Sequence, residues 1–552
     1  MKRVSFWERM PPKYIALAIV ALVGFVSLAW TSFSPLALAQ QSAQESAAPG
    51  APVIRRLNEE QYIRSVQNVF GFEVDVPGRF DPPVRESGLL AIGDGQAAIS
   101  SAGFEQYELR ARNIAAQVVS EAHRASTVPC APADATAFDA ACADSFVGKY
   151  GRLLYRRPLT DAERASTLAV ARSAAAQSGN FYGGLERALA RMLVSPNFIF
   201  RIEEFEADAT GAYRLNDYSL ATRLSFLMWD APPDEALLEA AGSGALRTDA
   251  GLSAQVDRLI AAPQFTDGVR AFFSDMFGFE QFNVLTKDQS IFPIYTSQLA
   301  ADAREQMLQT ITQHLVTRNA DYRDLFTTRT TMMNRNLGGL YNVPISTDSV
   351  AGWAPHTFDE GDQRAGILTL AGFLMLDVNH EGRTSPTIRG KSVRELFLCQ
   401  AVPQPPANVD FALVSDVNNP QFRTARGRLT VHRENPVCAG CHAVTDPIGL
   451  SLEHYDAVGR FRTQENETEI DASGTYRNQA FNDVVGLQAL IRDDPAASNC
   501  VVQRAFEYGV ARPKANGDRA ALEQLSSRFA EQRYSFPALM RAVALSAAFQ
   551  SP

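Results

Sequence analysis

The sequence lacks the patterns that mark several common classes of protein. Cysteine and histidine are scarce, with 6 and 7 residues among 552. The net charge is −9 and no basic tract is present, which argues against a general nucleic-acid binder. The metalloprotease pattern H-E-x-x-H, the hydrolase pattern G-x-S-x-G and a phosphate-binding loop are all missing. The motifs therefore give no support to a hydrolase.

Alternation of apolar and polar residues at the strand period is also rare. Amphipathic stretches at helical spacing recur instead, joined by Pro-bearing turns. Residues 219–229, for example, place Leu220, Leu224 and Leu227 on one face. The pattern predicts a mostly α protein.

Long apolar runs are confined to the N-terminus. The run Ile15 to Trp30 follows a positively charged start and precedes Ala37-Leu38-Ala39, a cleavage pattern before Gln40. The run is short for a membrane span, which needs about 20 apolar residues. We therefore expect a signal peptide over 1–39 and a linker over 40–52, with an uncleaved anchor as the alternative. Both place the chain outside the cytoplasm, in the periplasm or beyond.

Two of the rare cysteines stand in Cys438-Ala439-Gly440-Cys441-His442, the C-x-x-C-H pattern of c-type haem attachment. Thiols three positions apart can add to the two vinyl groups on one edge of a porphyrin. The histidine that comes next can then bind the iron as its proximal ligand. A thioredoxin-like redox pair, half of a zinc site and a plain disulfide are the rival interpretations. The predicted export favours one covalent haem c.

The remaining four cysteines are an even number in an oxidising compartment. Cys130 and Cys142 flank a short loop, and their spacing suggests a local pair. Cys399 and Cys500 then pair by elimination.

The chain divides by composition into four predicted regions after the linker. These are an N-terminal helical domain 53–125, a central helical domain 126–325, a loop-rich region with the motif 326–470, and a C-terminal helical domain 471–552.

Several separated stretches resemble one family. They are Tyr155-Arg156-Arg157-Pro158-Leu159-Thr160, Ser195-Pro196-Asn197-Phe198, Tyr213-Arg214-Leu215, Arg223-Leu224-Ser225-Phe226, Trp229 with Pro233-Asp234, Arg383-Thr384-Ser385-Pro386, Arg389-Gly390, Leu398-Cys399, Cys438 through Gly449, Leu452-Glu453, Asp456 and Gly459-Arg460. The family comprises secreted bacterial proteins, common in planctomycetes and proteobacteria, with consecutive domains of unknown function and a cytochrome-c-like C-terminal portion. The resemblance covers the chain from about Leu57 to its end. It implies secretion and haem c but supplies no reaction.

The resemblance and the motif together predict a multi-helix N-terminal region followed by a cytochrome-c-like helical haem domain with loop-rich insertions. One departure stands in Tyr508-Gly509-Val510-Ala511-Arg512, where the family usually has Gly directly before Arg. We expect a local change of turn there.

The sixth position on the iron is less well defined than the proximal one. The single Met downstream of the motif, Met540, lies in an amphipathic stretch typical of core. Upstream candidates are His380, Met375, His356 and His432, of which His380 is favoured by its family-matching surroundings. His442 itself needs an acceptor for its other ring proton, either the Asp446 carboxylate or a carbonyl near Pro447. The alternative is that Asp446 only caps a turn.

Haem propionates need cationic partners when partly buried. Five arginines cluster in sequence around the motif: Arg383, Arg389, Arg394, Arg460 and Arg462. Arg389 and Arg460 are favoured because they stand in family-matching stretches.

These patterns leave two main classes of function. The first is single-electron transfer in the periplasm through haem at Cys438 and Cys441, with His442 as axial ligand. The second is a peroxidase- or oxygenase-like haem enzyme with an open sixth position. A structural or surface-complex protein with a minor haem role is a further alternative. The redox partner or substrate is not named by the sequence, and a membrane is involved only if the signal segment stays attached.

Overall fold

Capping side chains set the starts of many helices. Asn58 accepts a hydrogen bond from the backbone N–H of Gln61. Thr160 and Glu163 form a reciprocal capping box at the start of another helix. Both caps depend on residues three positions apart, and they define where the helices begin.

The computed structural model describes residues 51–207, 210–347, 349, 352–376, 383–403, 420–433 and 436–552. The predicted signal peptide 1–39 and nearly all of the linker 40–52 lie outside the described residues. Residues from Pro52 to Pro552 form one unit. The subdivision at residues 125, 325 and 470 stays a prediction.

Helices dominate the first half of the described chain. They are α1 Glu59–Phe70, α2 Leu90–Gly93, α3 Ser101–Val118, α4 Arg124–Thr127, α5 Ala140–Tyr155, α6 Asp161–Ser178, α7 Phe181–Leu193, α8 Pro196–Ile199, α9 Asp217–Trp229, α10 Glu235–Gly242, α11 Asp249–Ala261, α12 Phe265–Met276 and α13 Ser297–Thr312.

Helices also carry the second half. They are α14 Arg335–Tyr341, α15 Ala371–Leu374, α16 Pro386–Ser392, α17 Ala425–Arg433, α18 Pro436–Leu450, α19 Val484–Arg492, α20 Pro495–Val510, α21 Arg519–Glu531, α22 Phe536–Ala544 and α23 Ala547–Gln550. Single π-helical turns follow α13 at Gln313–Thr317 and α16 at Val393–Phe397. Short 3-10 turns lie at Ala245–Arg247, Phe279–Asn283, Tyr322–Phe326, Ile367–Thr369 and Asn516–Asp518.

Strands in the described residues are short and pair as two-stranded antiparallel ribbons. They are β1 Val53–Arg56, β2 Phe200–Glu203, β3 Phe205–Ala207, β4 Tyr213–Leu215, β5 Thr330–Met333, β6 Ala354–Thr357, β7 Gln464–Glu465, β8 Thr468–Glu469, β9 Gly474–Tyr476 and β10 Gln479–Phe481. In the first ribbon Val53 pairs with Glu203 and Arg56 with Phe200. The prediction of a mostly α protein is confirmed.

Apolar side chains gather in two main cores. One contains side chains of α1, α3, α5 and α7. The larger one contains side chains of α2 and β4 and then runs from α9 to α23, including the C-terminal helices. Both predicted disulfides form: Cys130 with Cys142, and Cys399 with Cys500. The second links the segment after α16 to α20. Each disulfide increases the free energy of unfolding by roughly 3 kcal/mol, because the closed loop constrains the unfolded chain.

None of the helices in the described ranges combines the length and the apolar content that a membrane crossing needs.

The change of turn predicted at the end of α20 stays a prediction, since the backbone there has a conformation that glycine would also adopt. Ala511 has φ 49° and ψ 42°, the left-handed conformation that glycine adopts more easily. Alanine there costs roughly 1–2 kcal/mol relative to glycine. The helix end is kept in place by Arg55, which donates to the carbonyl oxygens of Val510 and Ala511.

Helices α16 and α18 pack backbone against backbone. A Cβ atom on Gly390 would lie 2.0 Å from the Thr445 carbonyl oxygen, and one on Gly449 would lie 1.7 Å from the Pro386 carbonyl oxygen. Only glycine fits at such distances, since real Cβ atoms essentially never come closer than 3.0 Å to a neighbour. The two glycines therefore determine how closely α16 approaches the helix that carries the C-x-x-C-H motif.

We predict that Gly390→Ala lowers the free energy of unfolding by about 1–3 kcal/mol, because the added methyl group would force the helices apart. The matched control is Gly339→Ala in α14, where a Cβ would meet nothing within 4 Å. That change should leave stability unaltered or raise it by up to about 1 kcal/mol. Denaturant unfolding followed by circular dichroism measures both, and equal effects of the two substitutions would contradict the packing argument.

Candidate functional site

The C-x-x-C-H motif lies in helix α18. Cys438 and Cys441 are separated by three positions, so their side chains share one side of the helix, and His442 lies one turn beyond Cys438. Both thiols are partly buried and neither forms a disulfide, although the other four cysteines are paired. The fold thus sets these two thiols apart from the disulfide framework.

A buried carboxylate orients His442. The Nδ1 atom lies 3.0 Å from Oδ1 and 2.9 Å from Oδ2 of Asp446, one helical turn further on. The Asp446 side chain is completely buried, and that of His442 is 14 % exposed. The carboxylate is therefore the acceptor for the ring, in preference to the carbonyl near Pro447. With Nδ1 held in this way, Nε2 is the ring nitrogen suited to bind a metal.

Two threonine hydroxyls complete the surroundings of Asp446. Thr387 Oγ1 donates to Asp446 Oδ1 at 3.0 Å and lies 3.4 Å from His442 Nδ1. Thr445 Oγ1 lies 3.3 Å from the same carboxylate oxygen and 3.0 Å from the Cys441 carbonyl oxygen. The buried carboxylate is thus bound on several sides, which offsets some of its desolvation cost.

The sequence patterns did not single out Thr387. It stands between Ser385-Pro386 and Arg389-Gly390, two stretches that match the family, and this position was the available signal. Ser385 caps α16, and Pro386 occupies its first turn. These two residues fix the start of the helix, and with it the position from which Thr387 faces α18.

Arg389 lies in the interior beside the site. It is fully buried, and its guanidinium donates to the carbonyl oxygens of Leu452 at 3.0 Å, Tyr455 at 2.8 Å and Asp456 at 2.9 Å. Glu453, also buried, lies 3.4 Å from Nη1. This bonding fixes the turn that follows α18. A contact between Arg389 and a propionate stays a prediction, and these backbone acceptors compete with it.

The other favoured arginine, Arg460, is exposed. Its neighbour Arg462 forms an ion pair of 2.8 Å with Glu453. A propionate contact of Arg460 likewise stays a prediction.

Arg394 has a different environment. It is partly buried beside α18 and donates to the Val444 carbonyl oxygen at 3.3 Å. Burial lowers its pKa, Tyr476 opposes this shift, and the nearby charge of Arg477 adds to it. Among the described residues no carboxylate forms an ion pair with it. A half-buried guanidinium in these surroundings, next to the motif, is suited to binding an anion.

The candidates for a sixth ligand are dispersed. His380 lies outside the described residues, and so does the side chain of His432. Met375 is fully buried in a cluster with Tyr341 and Val458. His356 is on β6, with its ring against Phe358 at 4.8 Å between centroids.

Met540 is buried in the large core, as predicted. No group of three or more His, Cys, Asp or Glu side chains converges as a metal site within the described ranges.

Sequence models of four protein families match consecutive segments. They are described as proteins of unknown function: DUF1595 at residues 142–203, DUF1592 at 215–343, DUF1588 at 364–465 and DUF1585 at 477–549. The DUF1588 segment, whose model is named PSCyt3, contains the C-x-x-C-H motif, Thr387 and Asp446. No curated protein and no solved structure matches the chain. The chain therefore carries consecutive domains of these four families of unknown function, which agrees with the resemblance of its motifs to proteins built from such domains.

Proposed function

We propose that this chain is an exported c-type haem protein that performs single-electron redox chemistry. Cys438 and Cys441 would hold the haem through thioether bonds, and His442 would be its axial ligand. The observation that carries the proposal is the combination in α18 of two unpaired thiols with a histidine whose Nδ1 is bound by the buried Asp446.

The residues present suit this group. Thiols at i and i+3 match the two attachment points of one porphyrin edge, and the histidine follows the second thiol directly. Exposed apolar side chains, which a porphyrin could cover, also occur in these helices: Ile388 is 39 % exposed and Val444 is 41 % exposed. When bound, haem supplies an iron centre that takes up and releases one electron.

Asp446 would tune the site. Accepting the Nδ1 proton fixes the tautomer of His442 and increases electron density at Nε2. A more basic axial ligand stabilises the oxidised state and lowers the reduction potential. The hydroxyls of Thr387 and Thr445 bind the same carboxylate oxygen and withdraw some of that density, so they would moderate the effect.

The location is inferred from chemistry. Disulfides persist in oxidising compartments, and the two here agree with the N-terminal signal pattern. We infer a periplasmic or extracellular protein, membrane-bound only if the signal segment stays attached. Its electron partner is a redox protein or a small substrate, and the acidic net charge argues against nucleic acid.

A haem enzyme with an open sixth position is the second candidate. The close Asp446–His442 pair favours it, because an electron-rich proximal ligand also suits peroxide or oxygen chemistry. The state of the sixth position distinguishes the two candidates.

We predict that the full-length protein, expressed with haem-maturation machinery, retains haem on a denaturing gel. Cys438→Ala and Cys441→Ala should each abolish normal attachment. The matched control removes Cys130 and Cys142 together, and it should retain the stain because that disulfide is remote in sequence from the motif. Absence of covalent haem in the unaltered protein contradicts the proposal.

The absorption spectra of the same protein distinguish an electron-transfer protein from a haem enzyme. Electron transfer predicts low-spin ferric and ferrous spectra that carbon monoxide does not change. A high-spin haem or one that binds carbon monoxide would favour the enzyme. If His380 is the sixth ligand, His380→Ala converts the low-spin spectrum to a high-spin one.

We predict that Asp446→Asn raises the reduction potential by about 60 mV or more, since a charge-assisted hydrogen bond contributes roughly 1.5–3 kcal/mol. Thr387→Val should shift it in the opposite direction, because the carboxylate then donates more density to His442. Asp359→Asn on an exposed loop is the matched control and should leave the potential unchanged. Redox titration measures all three, and a lower potential in Asp446→Asn would refute the role of the carboxylate.

We predict that Arg394→Met lowers the reduction potential more than Arg460→Met does. Loss of a nearby cation disfavours the reduced state, by an amount on the order of 1 kcal/mol for a unit charge about 10 Å away. Arg394→Lys should restore most of the potential, since it restores the charge. The opposite order of the two Met variants would assign the propionate contact to Arg460.

A further inference from the structure

A cleft of about 300 Å³ opens on the side of the molecule formed by the start of α1, the segment 80–83, α12 and the end of α20. Its lining residues come from 56–91, 230–283 and position 508. The C-x-x-C-H motif contributes none of them. The cleft is therefore a feature separate from the proposed haem site, and a ligand could occupy it whether or not the protein carries haem.

Most of the ionisable side chains that line the cleft are carboxylates. The lining contains one basic residue, Arg56, and six acids: Glu59, Glu60, Asp81, Asp230, Asp275 and Glu280. Several arginines pair with these acids from outside the lining, such as Arg64 at 3.5 Å from Asp230 and Arg85 at 3.1 Å from Asp275. The interior of the cleft thus presents oxygen acceptors and negative charge.

Two polar groups in the lining lack hydrogen-bond partners among the described residues. Tyr508 is only 9 % exposed, and its hydroxyl makes no hydrogen bond there. Gln61 is 4 % exposed and donates through Nε2 to Asp230 at 2.8 Å, but its Oε1 accepts no bond. A buried acceptor without a donor costs roughly 1–3 kcal/mol, so the fold retains groups that a ligand could satisfy.

The two deepest acids differ in how they are used. Asp275 accepts the backbone N–H groups of Leu90 and Ala91 at 2.7 and 3.0 Å and so caps α2. Asp230 has Gln61 on one oxygen and only the longer contact with Arg64 on the other. Burial raises the pKa of Asp230 to about 6, which is the expected response of a carboxylate whose charge is poorly compensated.

We propose that this cleft binds a small organic cation, a primary ammonium or guanidinium group on a short apolar tail, with Asp230, Gln61 and Tyr508 as its acceptors. The hydrogen-bond acceptors that line the cleft favour a ligand with N–H donors. The excess of acidic over basic residues favours a ligand with a positive charge. Leu57, Ile63 and Phe80 also line the cleft and supply apolar surface for the tail. The volume limits the ligand to a compact molecule.

Calorimetric titration of the full-length protein with butylammonium and butylguanidinium tests the proposal. Butanol and butyrate share the tail and differ in charge, so they are the matched ligand controls. We expect at least one cation to bind with a stoichiometry of one, and neither control to bind. Absence of binding by both cations, or equal binding of butyrate, would overturn the proposal.

Variants locate the binding. Asp230→Asn preserves shape and the left-handed backbone at that position, and Tyr508→Phe preserves the ring that packs on Phe272. Each should weaken binding about tenfold or more through loss of one polar contact. Asp257→Asn, an exposed acid paired with Arg541, should bind as the unaltered protein does. If the folded Asp230 and Tyr508 variants both retain full affinity, the assignment to this cleft is wrong.

Discussion

The close approach of α16 to α18 is the constraint on which the proposed site depends. Gly390 and Gly449 allow the two backbones to touch, and no other residue type would fit at either contact. This approach brings Thr387 within hydrogen-bonding distance of Asp446 and His442. It also excludes water from the side of Asp446 that faces α16. The orientation of His442 thus depends on the packing of α16 against α18 as well as on the position of His442 within α18.

Burial of Asp446 explains why the site needs several donors. A carboxylate withdrawn from water must recover its lost hydration from protein groups. His442, Thr387 and Thr445 supply these contacts. Arg389 has a corresponding role deeper in the interior, where it binds three backbone carbonyls of the turn that ends α18. The motif helix is therefore held at its side by glycine contacts and at its end by a buried guanidinium.

Local patterns predicted well what depends on local spacing. The pairing of Cys130 with Cys142 and the helical character of the chain were both predicted from residues close together in the sequence. The pairing of Cys399 with Cys500 could be inferred only because every other cysteine was already assigned.

Contacts between distant segments were beyond the reach of those patterns. Arg389 and Arg394 lie five positions apart in similar sequence surroundings, yet one is enclosed by backbone carbonyls and the other has no acidic partner among the described residues. The packing of α18, and of the turn that follows α18, decides which side of α16 faces the interior. The same packing decides it for the π turn after α16. The family-matching context of Arg389 therefore marked a residue whose bonds support the fold, and sequence alone could not separate the two roles. The same reasoning applies to Thr387, whose partners are about 55 to 59 residues away.

Helix α20 joins the two regions of the molecule for which we propose functions. Cys500, in its first half, is bonded to Cys399 behind the motif region, and Tyr508, near its end, lines the acidic cleft. Between them Arg504 donates to the carbonyl oxygens of Ser87 and Glu395, one before α2 and the other in the π turn after α16. The eight residues of α-helix from Cys500 to Tyr508 span only about 12 Å. The region that carries the C-x-x-C-H motif is consequently built into the framework of the larger core. Its removal as a separate module would break a disulfide and expose that core.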